Sequence, residues 1–186
     1  MASRLSCFLL FSVLALFIVA VSASQTQGVK LLLTKEGRAT STIVLAANAS
    51  EGDRAAAAEL QRYLGLISGA TIPIGSEAQR GVTIWLGSTG HSDGCPQEID
   101  WARLDDDGFA IRADEKILLI AGGRKRGTLY GVYTLLESYL GCRKFSPTVE
   151  VIPRKKTISL PLIDDTQLPR FKFRDAHFID PSSVPW

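Results

Sequence analysis

The sequence has few of the residues that usually carry reaction chemistry. Its 186 residues include two histidines, three cysteines and one methionine, and only 8% are aromatic. The charges nearly balance, with 21 basic against 19 acidic residues, and no basic run exceeds three residues. A nucleic-acid-binding face needs a basic stripe, so that class of partner is excluded. The hydrophobic content of 46% is ordinary for a globular protein, which excludes a disordered chain, a collagen and a coiled coil.

The N-terminus has the order of a secretory signal peptide. Arg4 precedes an almost unbroken apolar run from Cys7 to Val21, and the small residues Ser22 and Ala23 follow it. A membrane anchor is the alternative, but the run is shorter than the roughly 20 apolar residues that a spanning helix needs. We expect residues 1–23 to be cleaved, the mature chain to be extracellular or periplasmic, and no membrane association after cleavage.

Secretion would give two further features a meaning. Cys95 and Cys142 remain in the mature chain, and an oxidising compartment would allow them to form a disulfide. Closing a loop of that length would contribute about 4 kcal/mol. Cys142 equally fits a buried free thiol, so both states stay open. Asn48-Ala49-Ser50 fits a glycosylation acceptor if the source is eukaryotic.

Hydrophobic periodicity predicts a mixed fold. Residues 29–34 and 42–47 are β-rich runs joined by a turn-like stretch, which suggests a pair of strands. Ser50 and Asp53 have the spacing of a capping box, and the apolar stripe behind them predicts a helix that ends at Gly69. Further short strands are predicted at 71–74 and 82–86.

The second half of the chain predicts a hairpin and another helix. The hairpin covers 108–121, and its second arm, residues 117–120, is apolar on both faces like a central strand. The second helix has a predicted buried stripe of Leu129, Val132, Tyr133, Leu136 and Leu140, and Gly141 ends it. We therefore expect an α/β (α+β) domain, a single mixed β-sheet with two long helices packed on one face.

The glycine-rich stretch at 120–128 resembles a phosphate-binding loop only in part. Gly122 and Gly127 have the correct spacing, but Thr128 stands where such a loop needs lysine. Arg124 stands where a dinucleotide motif needs its second glycine. The stretch therefore predicts a tight strand-to-helix turn with a solvated basic rim, and no cofactor.

No arrangement of catalytic or metal-binding residues stands out. The loop at 91–95 contains a histidine, an aspartate and a cysteine, but no second ligand pair has zinc spacing. Glycosidase chemistry needs two opposed carboxyl groups about 5 to 9.5 Å apart, whereas the run 105–107 reads as solvated carboxylates at a turn. Neither His91 nor His177 accompanies a nucleophile elbow. The sequence predicts no catalytic residue and no metal.

Two stretches carry a resemblance to a known family. The first, 122–147, contains Arg-Gly-Thr-Leu-Tyr-Gly at 126–131 and Gly-Cys-Arg-Lys-Phe-Ser-Pro at 141–147. The second is Leu-Pro-Arg-Phe-Lys-Phe-Arg-Asp at 168–175. In this order they resemble the N-terminal domain of α-glucuronidases of glycoside hydrolase family 67. They are also similar to the domain that precedes the barrel in family 20 β-hexosaminidases. Lys144 departs from the tryptophan usual in the family, which leaves the subfamily open.

The resemblance implies an accessory domain that normally precedes a catalytic (β/α)8 barrel. Residues 24–166 would form that domain, and residues 167–186 would start a truncated barrel with its first strand. A complete barrel needs about 250 residues, so the general acid and base would lie outside this chain. The parent enzyme would be secreted and would release glucuronic or methylglucuronic acid from xylan fragments.

Two questions stay open within the resemblance. Arg174 matches the sugar-binding arginine that ends the first barrel strand, although an arginine salt-bridged within that strand fits equally well. The expected partners are the barrel in cis and a carbohydrate substrate. The alternative is a stand-alone carbohydrate-binding or protein-interaction module without enzymatic activity.

Overall fold

A computed structural model of the protein describes residues 30–146 and 148–171. The strands are β1 (Leu31–Lys35), β2 (Arg38–Ala39), β3 (Ser41–Leu45), β4 (Ile74–Gly75), β5 (Val82–Ser88), β6 (Phe109–Ala113), β7 (Ile117–Gly122), β8 (Arg143–Lys144), β9 (Glu150–Val151), β10 (Ile158–Leu160) and β11 (Ile163–Gln167). The helices are α1 (Glu51–Ser68), α2 (Trp101–Leu104) and α3 (Gly127–Thr134), which continues into a π-helical turn at Leu135–Tyr139. The predicted signal peptide and the predicted barrel strand after residue 171 lie outside the described residues.

A six-stranded mixed sheet forms the centre of the domain. Its strand order is β11-β6-β7-β5-β3-β4. The strands β4, β3, β5 and β7 run parallel, whereas β6 and β11 add antiparallel pairs at one edge. The predicted central strand is confirmed, because β7 lies between β5 and β6 and its residues 118–121 are fully buried. Two small sheets, β10-β1-β2 and β8-β9, accompany the main one.

Helices α1 and α3 cover one face of this sheet, which confirms the predicted fold class. Ile84, Leu86 and Ile120 point to the same side and join the helices in one core. The alternate residues Trp85 and Leu119 point to the opposite side and join a second core. The segment that covers this side includes α2, and the ring of Trp101 meets Trp85 edge-on at 6.3 Å. The loop predicted at 91–100 therefore leads into α2, which covers this second face of the sheet.

Local signals set both ends of α1. The Ser50 hydroxyl accepts from the Asp53 amide, and the Asp53 carboxylate accepts from the Ser50 amide, as the predicted capping box requires. At the other end Gly69 adopts φ +79°, and its amide donates to the Gly65 carbonyl at 2.7 Å. A positive φ is strained for residues with a side chain, so glycine suits this helix end.

The first two β-rich runs form the predicted strands β1 and β3, but these two strands do not pair with each other. The turn at Glu36 and Gly37 is present, but the strand β2 that it leads to has only two residues. The chain then crosses to the main sheet, so β1 and β3 lie in different sheets. β1 pairs instead with β10, where Leu31 lies opposite Leu160.

Part of the predicted stripe on the second helix is also wrong. Tyr133 is 43% exposed, whereas Val132, Leu136 and Leu140 are buried as predicted. Gly131 faces the sheet instead, and a Cβ at this position would lie 2.7 Å from Ile120 Cγ2. The helix approaches the sheet closely at Gly131, so a larger residue at this position would require Ile120 to shift. Tyr133 lies on the outward side of the helix.

Candidate functional site

The carboxyl ends of the parallel strands form the edge of the sheet where a ligand-binding site is expected. β3, β5 and β7 end at one edge of the sheet, and α1 and α3 begin beside it. In open α/β sheets ligands commonly bind at this edge, because loops and helix N-termini converge there. Three polar side chains at this edge are buried: Asp53, Ser88 and Thr128.

Asp53 connects the three elements that meet at this edge. Its Oδ2 accepts from the Ser50 amide at 3.1 Å, the Ser50 hydroxyl at 2.7 Å and the Ser88 hydroxyl at 2.9 Å. Its Oδ1 accepts from the hydroxyl of Thr128 at 2.8 Å, and Thr128 is the second residue of α3. A helix N-terminus favours an anion, and here the protein's own carboxylate occupies that position. We call this cluster of Asp53, Ser50, Ser88 and Thr128 the Asp53 hub. Both carboxylate oxygens of Asp53 already accept hydrogen bonds within it, so the cluster stabilises the fold.

The glycine-rich turn after β7 is engaged in the same way. The amide of Gly123 donates to the Gly108 carbonyl, and the amides of Arg124 and Lys125 donate to the carbonyls of Asp105 and Asp106, at 2.7 to 2.9 Å. A phosphate loop would need such amides to face its ligand. A Cβ at Gly122 would lie 2.0 Å from the Thr128 amide nitrogen. The glycine therefore serves close packing, which agrees with the predicted tight turn.

The basic rim of this turn is paired with the acidic run before β6. Arg124 contacts Asp105 at 2.7 Å and Asp106 at 3.0 Å, and Lys125 contacts Asp106 at 2.9 Å. Arg126 contacts Asp107 at 3.1 Å in the same way. Hydrogen bonds from Lys125 and then Arg124 hold the pKa of the Asp106 carboxyl below its ordinary value. We call this arrangement the charge ladder; it joins the two ends of the β6–β7 hairpin.

The sequence pattern predicts both charged runs as solvated and does not predict the charge ladder. The signal was present, because the acidic and basic triplets flank the two arms of one predicted hairpin. An antiparallel hairpin brings the residues just outside its open end together. The register that places Phe109 opposite Gly122 does so here.

We predict that nucleotides leave the thermal stability of the domain unchanged. The amides of the turn are engaged and the hub supplies the anion, so ATP or NAD at millimolar concentration should not raise the melting temperature. Lys125→Ala should change the free energy of unfolding by no more than about 0.5 kcal/mol, because exposed ion pairs contribute little. A nucleotide-dependent rise that Lys125→Ala abolishes would contradict this account of the turn.

The structure does not bring the two remaining cysteines together. Both are free thiols; Cys142 is buried in the core beneath α1 and α3, whereas Cys95 packs against the opposite side of the sheet. Burial raises the pKa of each thiol, which keeps it protonated near neutral pH. The disulfide left open by the sequence is therefore not formed in this structure.

The other candidate residues are placed as follows. Asn48 is exposed after β3, and its side-chain amide donates to the Gly90 carbonyl at 3.4 Å; glycosylation at this residue stays a prediction. Arg174 lies outside the described residues. In the described part of the chain, no group of three histidines, cysteines or acidic residues could hold a metal ion. Within the same residues, no helix is long and apolar enough to cross a membrane.

Comparisons with known proteins agree on one fold. Residues 30–135 match the family model described as the N-terminus of glycosyl hydrolase family 67. A family GH115 4-O-methyl-α-glucuronidase with specificity for decorated arabinogalactans has a similar structure, with a TM-score of 0.55 and 19% identity. The N-acetyl-β-hexosaminidase of Streptomyces plicatus is also similar, with a TM-score of 0.50 and 19% identity. No curated protein sequence matches the chain.

The matched region is a small part of these solved proteins. The alignment covers 75% of this chain but 18% of the GH115 enzyme, and 79% of this chain but 25% of the hexosaminidase. At 19% identity the likeness concerns the fold alone. The described domain therefore has the fold of one part of much longer chains.

Proposed function

Because the chain belongs to the family of glycosyl hydrolase family 67 N-terminal domains, we propose that it is the non-catalytic accessory domain of a secreted α-glucuronidase-type enzyme. The enzyme would act on plant polysaccharide and release glucuronic or methylglucuronic acid from xylan fragments. The residues that hydrolyse the glycosidic bond would belong to a (β/α)8 barrel that follows this domain in the same polypeptide.

The state of the carboxylates in the domain carries the non-catalytic part of the proposal. A glycosidase needs two opposed carboxyl groups, one of which protonates the leaving oxygen while the other acts as a nucleophile or base. The Asp53 carboxylate is 1% exposed and accepts hydrogen bonds from three side-chain and backbone neighbours. The carboxylates of the charge ladder are held by Arg and Lys partners. These carboxylates stabilise the fold through the contacts that they already make. We therefore assign none of them the role of a general acid, base or nucleophile.

A capture experiment tests the proposal in the organism that makes the protein. Antibodies raised against the domain should capture from the culture medium or periplasm a polypeptide much longer than 186 residues. The captured material should release methylglucuronic acid from glucuronoxylan oligosaccharides. Capture of a polypeptide of the mature domain's size, without this activity, would contradict the proposal and favour the stand-alone module. Matched beads with pre-immune antibodies provide the control for adsorbed enzymes.

A further inference from the structure

A depression beside the π-helical turn combines a buried floor with an exposed polar rim. The floor is formed by three buried residues, Tyr63, Leu136 and Cys142. The rim is formed by four exposed residues, Tyr133, Glu137, Arg143 and Lys144. The volume of about 390 Å³ lies in the range of small-molecule sites, which usually combine an apolar lining with a few polar groups. We call this surface the Tyr133 depression.

The Tyr133 depression lies away from the place where the described chain ends. Phe171, the last described residue, lines a different depression together with the basic residues of the charge ladder. Those basic residues come directly before α3, whereas the π-helical turn follows it. The polypeptide after Phe171 therefore starts near the opposite end of this helix.

The polar groups of the rim are less engaged than those of the charge ladder. The Glu137 carboxylate makes one long contact, 3.8 Å to Arg143 Nη1. Nη1 also donates to the carbonyls of Glu137 and Cys142 at 2.6 and 2.9 Å, which holds the guanidinium at the rim. Among the described residues, the Lys144 ammonium has no ion-pair partner and the Tyr133 hydroxyl has no hydrogen-bond partner. The rim can therefore offer donors and acceptors to a ligand.

The charges around the depression balance each other. Arg143 is matched by Glu137, and Lys144 lies directly opposite Glu150 in the β8–β9 pair. Opposite residues share one face of an antiparallel pair, and Glu150 also accepts from the floor hydroxyl of Tyr63 at 2.9 Å. Such a rim favours no ion of either sign. A hydroxyl group both donates and accepts, so a neutral molecule with several hydroxyls suits this mixture of carboxylate, ammonium and guanidinium groups.

Tyr133 adds an aromatic face to the rim. Its side chain lies on the outward side of α3 and is 43% exposed, although it belongs to a helix with a buried apolar stripe. The face of an aromatic ring is negative, so it attracts C–H groups that carry partial positive charge. A sugar ring presents such C–H groups on one face and hydroxyls around its edge. The combination of an exposed tyrosine with donors and acceptors therefore matches a sugar ring.

We propose that the Tyr133 depression binds a neutral sugar ring, which stacks on Tyr133 while its hydroxyls contact Glu137, Arg143 and Lys144. This binding role goes beyond the accessory role proposed above. It rests on the proposed function in one respect, which is that the neutral sugar is taken to be a xylose unit of xylan.

Titration of the complete mature chain with xylohexaose tests the site. The backbone amide signals of residues 133–144 should shift and saturate in nuclear magnetic resonance spectra. Because the ligand carries no charge, its dissociation constant should change by less than about twofold between about 0.05 and 0.5 M sodium chloride. Glucuronate serves as the charged probe and should bind no more tightly than xylohexaose. Saturable binding of glucuronate without binding of xylohexaose would overturn the proposal.

Three variants separate stacking from a general change in the surface. Tyr133→Ala removes the ring and should weaken xylohexaose binding at least about fivefold, whereas Tyr133→Phe keeps the ring and should stay within about twofold of the wild type. The matched control is Phe171→Ala, which removes a 71% exposed ring outside the depression and should leave binding unchanged.

The outcomes that contradict the site are specific. The proposal fails if xylohexaose causes no saturable shifts, or if the shifts lie outside the depression. It also fails if Phe171→Ala or Tyr133→Phe weakens binding as much as Tyr133→Ala. The capture experiment above reports on the longer enzyme whether or not this site binds a sugar, so the two proposals can fail separately.

Discussion

Asp53→Ala should destabilise the domain by about 2 to 5 kcal/mol, the largest loss that we expect from any single polar substitution. The variant removes a buried acceptor and leaves the hydroxyls of Ser88 and Thr128 and the amide of Ser50 without it. The Ser88 hydroxyl loses its carboxylate acceptor, which costs about 1 to 3 kcal/mol, and the loss of the helix cap at Ser50 adds about 1 to 2 kcal/mol. The Thr128 hydroxyl retains the Gly87 carbonyl as an acceptor at 3.2 Å, so its contribution is small. Urea unfolding followed by circular dichroism measures the change.

The matched control for this variant is Asp105→Ala. The Asp105 carboxylate is half exposed and belongs to the charge ladder, so its loss should cost no more than about 1 kcal/mol. Asp53→Asn should fall between the two, because an amide retains one acceptor oxygen. If Asp53→Ala and Asp105→Ala lowered stability equally, the hub would not be the connection that the structure indicates.

Leu136→Ala should cost about 2 to 5 kcal/mol, the range for truncating a buried leucine. Leu136 is 3% exposed and belongs to the core between α1, α3 and the sheet. It also lies in the π-helical turn, where the backbone geometry already departs from the regular helix. Thermal and urea unfolding should both report the loss.

The same substitution at an exposed leucine provides the comparison. Leu162 is 61% exposed between β10 and β11, so Leu162→Ala should stay within about 0.5 kcal/mol of the wild type. A loss at Leu136 no larger than that at Leu162 would show that α3 contributes little to the core. The helix would then be a peripheral element rather than half of the helical layer.

Features governed by neighbouring residues could be predicted from the sequence. Ser50, Asp53 and Gly69 set the ends of α1 through contacts within four residues, and all three contacts are present. The β6–β7 hairpin is a second local feature, and its central strand was identified because it is apolar on both faces. These signals act over short stretches of chain, so one sequence contains all that they require.

Features that join distant parts of the chain could not be predicted in the same way. β1 pairs with β10, more than 120 residues further along the chain, and no turn residue encodes that choice. The hub is similar, because Asp53 was found as a helix cap while its contacts to Ser88 and Thr128 depend on the assembled sheet. Only the spatial arrangement shows that one carboxylate serves two helix ends.

The interface of α3 with the sheet shows why hydrophobic periodicity predicts buried residues only in part. Hydrophobic periodicity favours large apolar residues, so it predicts Tyr133 in the buried stripe. The buried positions also include Thr128 and Gly131, and at Gly131 the helix lies so close to Ile120 that a larger side chain would require Ile120 to shift. Apolarity alone does not distinguish a small contact residue from a large exposed one.

Hydrolysis by the purified mature chain tests the central claim most directly. Residues 24–186 are incubated with glucuronic-acid-bearing xylo-oligosaccharides and with an aryl hexosaminide, and released sugar is measured against a mock preparation from cells without the gene. The carboxylates of the Asp53 hub and the charge ladder are engaged in hydrogen bonds and ion pairs that stabilise the fold, so we predict release no higher than in the mock preparation. Release above that level, eluting with the folded domain and reduced by Arg174→Ala, would contradict the assignment of this chain as a non-catalytic domain.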